Sequence, residues 1–255
     1  MPAANASFGW QEAIAAFAII SVVAFLVTWI VTDLGHVSRT PYVAILTLTT
    51  LALGAGYLAW SGTSLADLVT AGWGSGVLAG VVAAGLAVPM VRRLPSGPRP
   101  WGSQLLGRLA WEGVVYGVAE AILLATLPVL TLWQATDALG WTEAGWAKVG
   151  SGALAIVAAL FVIVVHHLGY REFRASRKKL LGALAVCGVQ AIAFLLTGNM
   201  LAPIVAHIVL HAQLTLRGVE MPPVAETPNE LRVDAFRALT DPASKERPVV
   251  ASVSQ

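Results

Sequence analysis

Long apolar runs separated by short polar segments dominate the pattern of this 255-residue chain. The hydrocarbon core of a bilayer is about 30 Å thick, so a helix that crosses it needs roughly 17 to 25 mostly apolar residues. Runs of this length predict membrane-spanning helices at residues 13–32, 42–60, 67–91, 110–134, 150–168, 180–197 and 199–216. The predicted fold is therefore an all-α, polytopic transmembrane helix bundle of about seven spans.

The overall composition supports this class. Apolar residues make up 57% of the chain and charged residues only 12%, whereas soluble domains carry about 25% charged residues. The sequence contains no P-loop, dinucleotide fingerprint or nucleic-acid-binding element. We therefore expect the lipid bilayer as a partner, and no nucleic acid.

Polar segments divide the chain further. Residues 92–100 hold three prolines and three arginines and predict a loop, and the mildly amphipathic residues 101–109 predict a segment along the membrane interface. Five glycines punctuate the third span and indicate close helix packing. Residues 218–255 contain five prolines and many charges, which predicts a disordered tail with one short helix near 229–239. The domains are thus a transmembrane domain, 1–217, and a polar tail, 218–255.

The charged loops also predict an orientation. Loops 92–108 and 169–179 are strongly basic, whereas loops 61–66, 135–148 and 197–199 contain almost no lysine or arginine. Basic loops face the cytoplasm, so the N-terminus is expected outside and the C-terminus in the cytoplasm. The predicted location is the cell membrane, as a multi-pass protein.

Ionisable side chains inside the predicted spans are the candidate functional residues. Glu120 lies in the fourth span, His166 and His167 end the fifth, and His207 and His211 lie in the seventh. Such groups are costly in a membrane, normally face the protein interior and mark functional sites. Glu120 lies roughly 18 Å into its span from the cytoplasmic end, and the histidines occupy the same half of the membrane. We therefore expect them to converge in one buried pocket.

Helical spacing narrows this set. His207 and His211 stand four residues apart, so both imidazoles lie on one helix face. His166 and His167 point about 100° apart, so only one of them is expected to join a shared site. Glu112 is interpreted as an interfacial residue paired with Arg108 at i−4.

A carboxylate among imidazoles is typical of divalent metal chemistry. Neutral imidazole nitrogens and carboxylate oxygens are usual zinc ligands, and a glutamate beside zinc-bound water can act as general base. Water activated in this way attacks a carbonyl group, which describes peptide hydrolysis without a covalent intermediate. From the residues alone, a buried structural hydrogen-bond network remains the alternative interpretation.

The chain resembles the intramembrane endopeptidases that process CAAX proteins, and their bacterial relatives linked to bacteriocin processing and immunity. The resemblance covers about residues 105–216. The family's third motif, His-x-x-x-Asn, is matched by His207, with Asn199 and Pro203 in familiar places before it. His211 stands where Asn or Asp is expected. The resemblance implies a peptide or lipid-modified protein as substrate.

The other two family motifs match in part. The Phe-x-x-x-His motif corresponds to Phe161 and His166 with one extra intervening residue. The Glu-Glu-x-x-x-Arg motif corresponds to Glu120, but Ala121 replaces the second glutamate and Ala125 the arginine. The resemblance implies that Glu120 activates water as general base.

Taken together, the predicted site consists of Glu120, His166, His207 and His211, with the three histidines as ligands of a divalent metal, zinc in the first place. Two alternatives remain open at this stage. The first is a non-catalytic binding or immunity protein of the same fold with a degenerate first motif. The second is a membrane protein with haem between two histidines.

Overall fold

A computed structural model of the chain describes residues 1, 8–143, 145–219 and 221. These residues form helices and their connections, with no β-strand among them, so the predicted all-α class is confirmed. All of the described helices belong to one unit, Met1–Pro223. In chain order they are α1 Trp10–Leu34, α2 Arg39–Ser61, α3 Leu65–Thr70, α4 Trp73–Arg92, α5 Gly102–Asp137, α6 Gly145–Leu168, α7 Arg171–Arg174, α8 Arg177–Thr197 and α9 Leu201–Leu216.

Membrane-length helices dominate this unit. Within the described residues, six helices are long and apolar enough to cross a bilayer: α1, α2, α4, α5, α6 and α8. Helix α9 is also apolar but has 16 residues, slightly fewer than the roughly 17 needed for a perpendicular crossing. Each predicted span thus contains one of these seven helices, and the helix lengths and composition support a membrane protein.

Helix α5 forms the centre of the bundle. In its most apolar stretch 78% of the residues are buried, compared with 22% in α2. It packs among α1, α2, α6, α8 and α9, and its side chains Leu123, Leu124 and Leu130 enter a core shared with Ile163 and Phe194. A residue on the inner face of α5 is therefore surrounded by protein on all sides.

Residues 101–109, predicted to lie along the membrane interface, are continuous with the fourth predicted span. Helix α5 begins at Gly102 and continues through these residues to Asp137 without a break. The loop prolines end at Pro100 and no proline follows before Pro128, so nothing interrupts the backbone hydrogen bonds. The amphipathic stretch is simply the first turns of the fourth predicted span.

The third predicted span, by contrast, is divided. Helix α3 ends at Thr70, and Gly72 adopts a left-handed conformation (φ 65°) before α4 begins. The side-chain amide of Asn199 donates hydrogen bonds of 2.8 Å to the carbonyl oxygens of Val69 and Ala71. The break is thus held against the start of α9.

The expected close packing of the third span is confirmed at two of its glycines. A Cβ atom on Gly76 would lie 2.6 Å from Asn199 Oδ1, and one on Gly80 would lie 2.7 Å from the carbonyl oxygen of Ala202. Gly74 and Gly85 have open space instead. Helix α4 therefore fixes the position of α9 through backbone-to-backbone contact.

The predicted tail, including its expected helix near 229–239, lies outside the described residues except for residues 218, 219 and 221.

Candidate functional site

Three helices bring the predicted site residues together. Glu120 lies on α5, His166 on α6, and His207 and His211 on α9. Helices α5 and α9 approach closely because Gly117 has no side chain: a Cβ atom there would lie 3.1 Å from the Cα of Ile208. One turn of α5 separates Gly117 from Glu120, so this contact places the carboxylate against the histidines of α9.

The carboxylate of Glu120 is the centre of the cluster. Its Oε2 lies 2.7 Å from Nε2 of His211 and 4.0 Å from Nε2 of His207, and its Oε1 lies 3.4 Å from Nε2 of His166. All four side chains are buried. The predicted convergence of these residues is therefore confirmed by their positions.

His166, and not His167, faces the carboxylate. The Nδ1 atom of His167 lies 2.8 Å from the carbonyl oxygen of Ile163, one turn earlier on α6, and its ring packs edge-on against Phe173. The two imidazoles are nearly perpendicular, with an interplanar angle of 85°. Adjacent residues on a helix point in different directions, so α6 gives one histidine to the site, as predicted.

Glu120, His207 and His211 form a group that could hold a metal ion. Their ligand atoms all lie within 4.8 Å of one another, and two histidines with a carboxylate are a known zinc ligand set. Neighbouring ligands of a tetrahedral zinc ion, with bonds of about 2.0–2.1 Å, lie roughly 3.3 Å apart. The His207–Glu120 distance of 4.0 Å and the His211–Glu120 distance of 2.7 Å lie on either side of that value. The donor set therefore fits a divalent ion after small side-chain shifts.

This group differs from the predicted ligand set in one position. His166, predicted as the third metal ligand, is not part of it, and Glu120 takes its place. The reason is geometric: His166 lies beside Oε1 of the carboxylate, whereas His207 and His211 lie beside Oε2. Cys187 of α8 is a further neighbour that the sequence did not predict, with Sγ 3.9 Å from His207 Nε2.

The two alanines that depart from the family's first motif lie in the apolar interior. Ala121 and Ala125 are both fully buried. An arginine from another helix lies close to this site: the guanidinium of Arg39, at the start of α2, lies 4.0 Å from the centre of the Tyr116 ring, where the face of the ring stabilises it. Tyr116 in turn contacts Glu120 through its hydroxyl. Sequence reasoning missed Arg39 because it precedes the predicted second span.

Tyrosines form a second polar layer that sequence reasoning also missed. The hydroxyl of Tyr116 donates a 2.5 Å hydrogen bond to Oε1 of Glu120, and the hydroxyls of Tyr170 and Tyr42 continue from it. Tyr116 precedes Glu120 by four residues, which places both on one helix face, so this signal was available in the sequence. Tyr42 and Tyr170 gave none, since they lie on other elements.

Comparisons of the chain with protein-family models, with curated proteins and with solved structures gave no match. The resemblance to CAAX-type endopeptidases therefore depends on the motif residues alone.

Proposed function

We propose that the chain is an intramembrane metallo-endopeptidase of the CAAX-protease type, acting near the cytoplasmic face of the cell membrane. The observation that carries the proposal is the cluster itself: one buried carboxylate in contact with imidazoles from two other helices. An ionisable side chain inside a membrane helix costs free energy, and such residues mark functional sites. The substrate class is a peptide or a lipid-modified protein that enters from the bilayer.

In this proposal Glu120 is the general base. Its carboxylate takes a proton from water while the water oxygen bonds to the scissile carbonyl carbon. The same proton then passes to the leaving amine nitrogen as the carbon–nitrogen bond breaks, which gives a carboxylic acid and an amine. Glu120 then serves as base and not as a metal ligand, although its position would allow either: His207 and His211 would hold the divalent ion, which would polarise water and the carbonyl oxygen. His166 borders the other carboxylate oxygen.

The proposal includes the topology. Seven spans, with α9 as the last, place the N-terminus outside and the basic loops in the cytoplasm. The only cysteine, Cys187, is buried, so single cysteines can be introduced for labelling. We expect Ser96→Cys to react with an impermeant reagent from the cytoplasmic side and Glu143→Cys from the outside. The reverse pattern would contradict the orientation.

Metal content is the first test. We expect about one zinc per chain in detergent-purified wild type, and loss of that zinc in His207→Ala. His36→Asn is the matched control, because His36 is exposed and far from the site in sequence, and its positive φ of 46° suits asparagine. No metal in wild type, after purification without chelators, would contradict the ligand assignment.

Turnover is the second test. With a cleavable peptide, Glu120→Gln is expected to lower kcat by about 10²- to 10⁴-fold, the usual contribution of a general base. Glu112→Gln is the matched control on the same helix, because Glu112 pairs with Arg108 at 3.4 Å and lies outside the cluster. Equal activity of the two variants would exclude Glu120 as base.

A non-catalytic relative is the second candidate function. It is favoured by the absence of a second carboxylate at Ala121 and by the direct pairing of Glu120 with Tyr116 and His211, at 2.5 and 2.7 Å. In that case the cluster would stabilise a binding protein, and metal content would be unaffected by His207→Ala. Haem between two histidines is a third reading, and a Soret band in purified protein would be needed to support it.

A further inference from the structure

Three tyrosine hydroxyls connect the carboxylate of Glu120 to the far side of His166. Tyr116 OH lies 2.5 Å from Glu120 Oε1, Tyr170 OH lies 3.0 Å from Tyr116 OH, and Tyr42 OH lies 2.6 Å from Tyr170 OH. All three rings are buried. They come from α5, from the turn before α7 and from α2, so no single stretch of sequence contains them.

The direction of each hydrogen bond follows from counting hydrogens. A tyrosine hydroxyl has one hydrogen to donate, and an ionised carboxylate can only accept. Tyr116 donates its hydrogen to Glu120, so Tyr170 must be the donor to Tyr116, and Tyr42 the donor to Tyr170. Burial raises the pKa of Tyr170 well above its ordinary value, so this hydroxyl keeps its hydrogen. All three hydrogens therefore point toward Glu120.

The same count fixes the proton of His166. Its Nδ1 lies 3.0 Å from Thr28 Oγ1 and 3.3 Å from the carbonyl oxygen of Ala24, and Thr28 itself donates to that carbonyl. A carbonyl oxygen only accepts, so Nδ1 carries the hydrogen. The other ring nitrogen, Nε2, is buried and faces Glu120 Oε1 at 3.4 Å.

We propose that Tyr42, Tyr170 and Tyr116 are positioning residues of the candidate site: a one-way chain of hydroxyls that occupies Oε1 of Glu120 and leaves Oε2 to face His207 and His211. Thr28 completes the arrangement by contacting Nδ1 of His166 at 3.0 Å, so that Nε2 faces Oε1 of Glu120. The inference rests on the proposed function in one respect: it states which oxygen of the Glu120 carboxylate reacts. The hydrogen bonds themselves do not depend on that function.

The chain of tyrosine hydroxyls fixes the orientation of the Glu120 carboxylate. A carboxylate among apolar helices can rotate and exchange its two oxygens unless one of them is held. Donation from Tyr116 holds Oε1, and polarisation along a chain of hydrogen bonds strengthens that last bond. Outer hydrogen-bond partners of this kind typically change metal affinity by about 10- to 100-fold when they are removed.

The test uses full-length protein that carries ¹⁵N-labelled histidine, in the metal-free state. The ring-nitrogen shifts report which nitrogen of each histidine is protonated, and His166→Gln identifies the His166 signals. We expect a hydrogen on Nδ1 of His166 in wild type, where the carbonyl oxygen of Ala24 accepts it. In Tyr116→Phe, Oε1 loses its donor, so the His166 signals should move toward the Nε2-protonated form. Tyr57→Phe, which removes a buried hydroxyl elsewhere, is the matched control and should leave them unchanged.

Zinc titration of the same variants gives a second readout. Tyr116→Phe is expected to weaken binding about 10- to 100-fold, with a smaller loss in Tyr170→Phe and none in Tyr57→Phe. If wild type binds zinc and neither the His166 signals nor the affinity change in Tyr116→Phe, the positioning role is overturned while the proposed function stands. If wild type binds no zinc, the metal proposal fails, and the His166 signals alone decide the inference: their shift supports it and their constancy overturns it.

Discussion

Two buried polar clusters lie on the central helix α5, and they are built in opposite ways. One surrounds Glu120, and the other surrounds Gln134, 14 positions later in the sequence, or about 20 Å along the axis. In the second cluster Tyr57 donates to Gln134 Oε1 at 2.5 Å, and Gln134 Nε2 donates to Thr63 at 2.8 Å. Ser61 donates to the same Thr63 hydroxyl at 2.8 Å.

The two clusters differ in charge and in how closely their polar atoms contact one another. The Gln134 cluster is neutral, and its members satisfy one another. The Glu120 cluster is ionisable, and Nε2 of His166 and Nε2 of His207 lie 3.4 and 4.0 Å from the carboxylate, beyond good hydrogen-bond distance. A neutral network whose polar atoms contact one another specifies how helices pack, whereas imidazole nitrogens held at longer distances from a carboxylate can still bind water or a cation. Burial alone therefore does not distinguish a site from a structural network.

The largest difference between the two clusters is expected when their central residue types are exchanged. Gln134→Glu would place an acceptor where Nε2 now donates, in a fully buried position, and we expect it to cost about 3 kcal/mol or more. Glu120→Gln keeps one acceptor oxygen in place of two, so it loses the bond from Tyr116 or from His211 and should cost about 1–2 kcal/mol, less than the change at Gln134, while activity is lost. Thermal unfolding in detergent checks both. Similar losses of stability would mean that the Glu120 cluster is structural too.

A smaller effect is expected at the helix contact that supports the site. Gly80→Ala would place its Cβ 2.7 Å from the carbonyl oxygen of Ala202, and overpacking of this kind costs about 1–3 kcal/mol. Since α9 carries His207 and His211, zinc affinity should fall as well. Gly85→Ala, where a Cβ meets open space, is the control. If both variants unfold at the same temperature as wild type, the α4–α9 contact does not fix the site.

An ion pair at the protein surface serves as a reference for the stability that each buried cluster contributes. Arg174 contacts Asp33 at 2.8 Å, and the two side chains are 36% and 22% exposed. Such pairs contribute about 0.2–1 kcal/mol, so Asp33→Asn should lower stability by no more than that, and less at high salt. A larger loss, measured by unfolding at two salt concentrations, would show that the pair matters more than its exposure indicates.

The sequence predicted the ionisable half of the site because the membrane makes such residues conspicuous. Glu120, His207 and His211 stand out in apolar runs, and helical spacing shows that only one of His166 and His167 can join the site. The polar half was not predictable in the same way. Tyr42 and Tyr170 are amphipathic residues of a kind common near membrane interfaces, and their contacts depend on how distant helices pack.

The fold shows the same division. Hydropathy located the runs that form α1, α2, α4, α5, α6, α8 and α9, because length and apolar content determine membrane helices. It did not show that 101–109 continues into α5, nor that the chain breaks at Gly72. That break is held by the amide of Asn199, 127 positions away in sequence, a contact that no local pattern contains.

Helix α5 contains a π-helical segment on each side of Glu120, with more residues per turn than an α-helix. Leu109–Val115 and Ala121–Thr126 are π-helical, and the hydroxyl of Thr126 reaches back five residues to the carbonyl oxygen of Ala121 at 3.2 Å. A π-turn accommodates one more residue than an α-turn. A single deletion between 121 and 126 would therefore leave both ends of α5 facing as they do now, whereas a deletion in an α-helical part of α5, such as Leu127–Asp137, would rotate every later side chain by about 100°. The number of residues between two motif positions in this stretch therefore does not determine which helix face each one occupies. An alignment of α5 with distant relatives should allow a one-residue gap directly after Glu120.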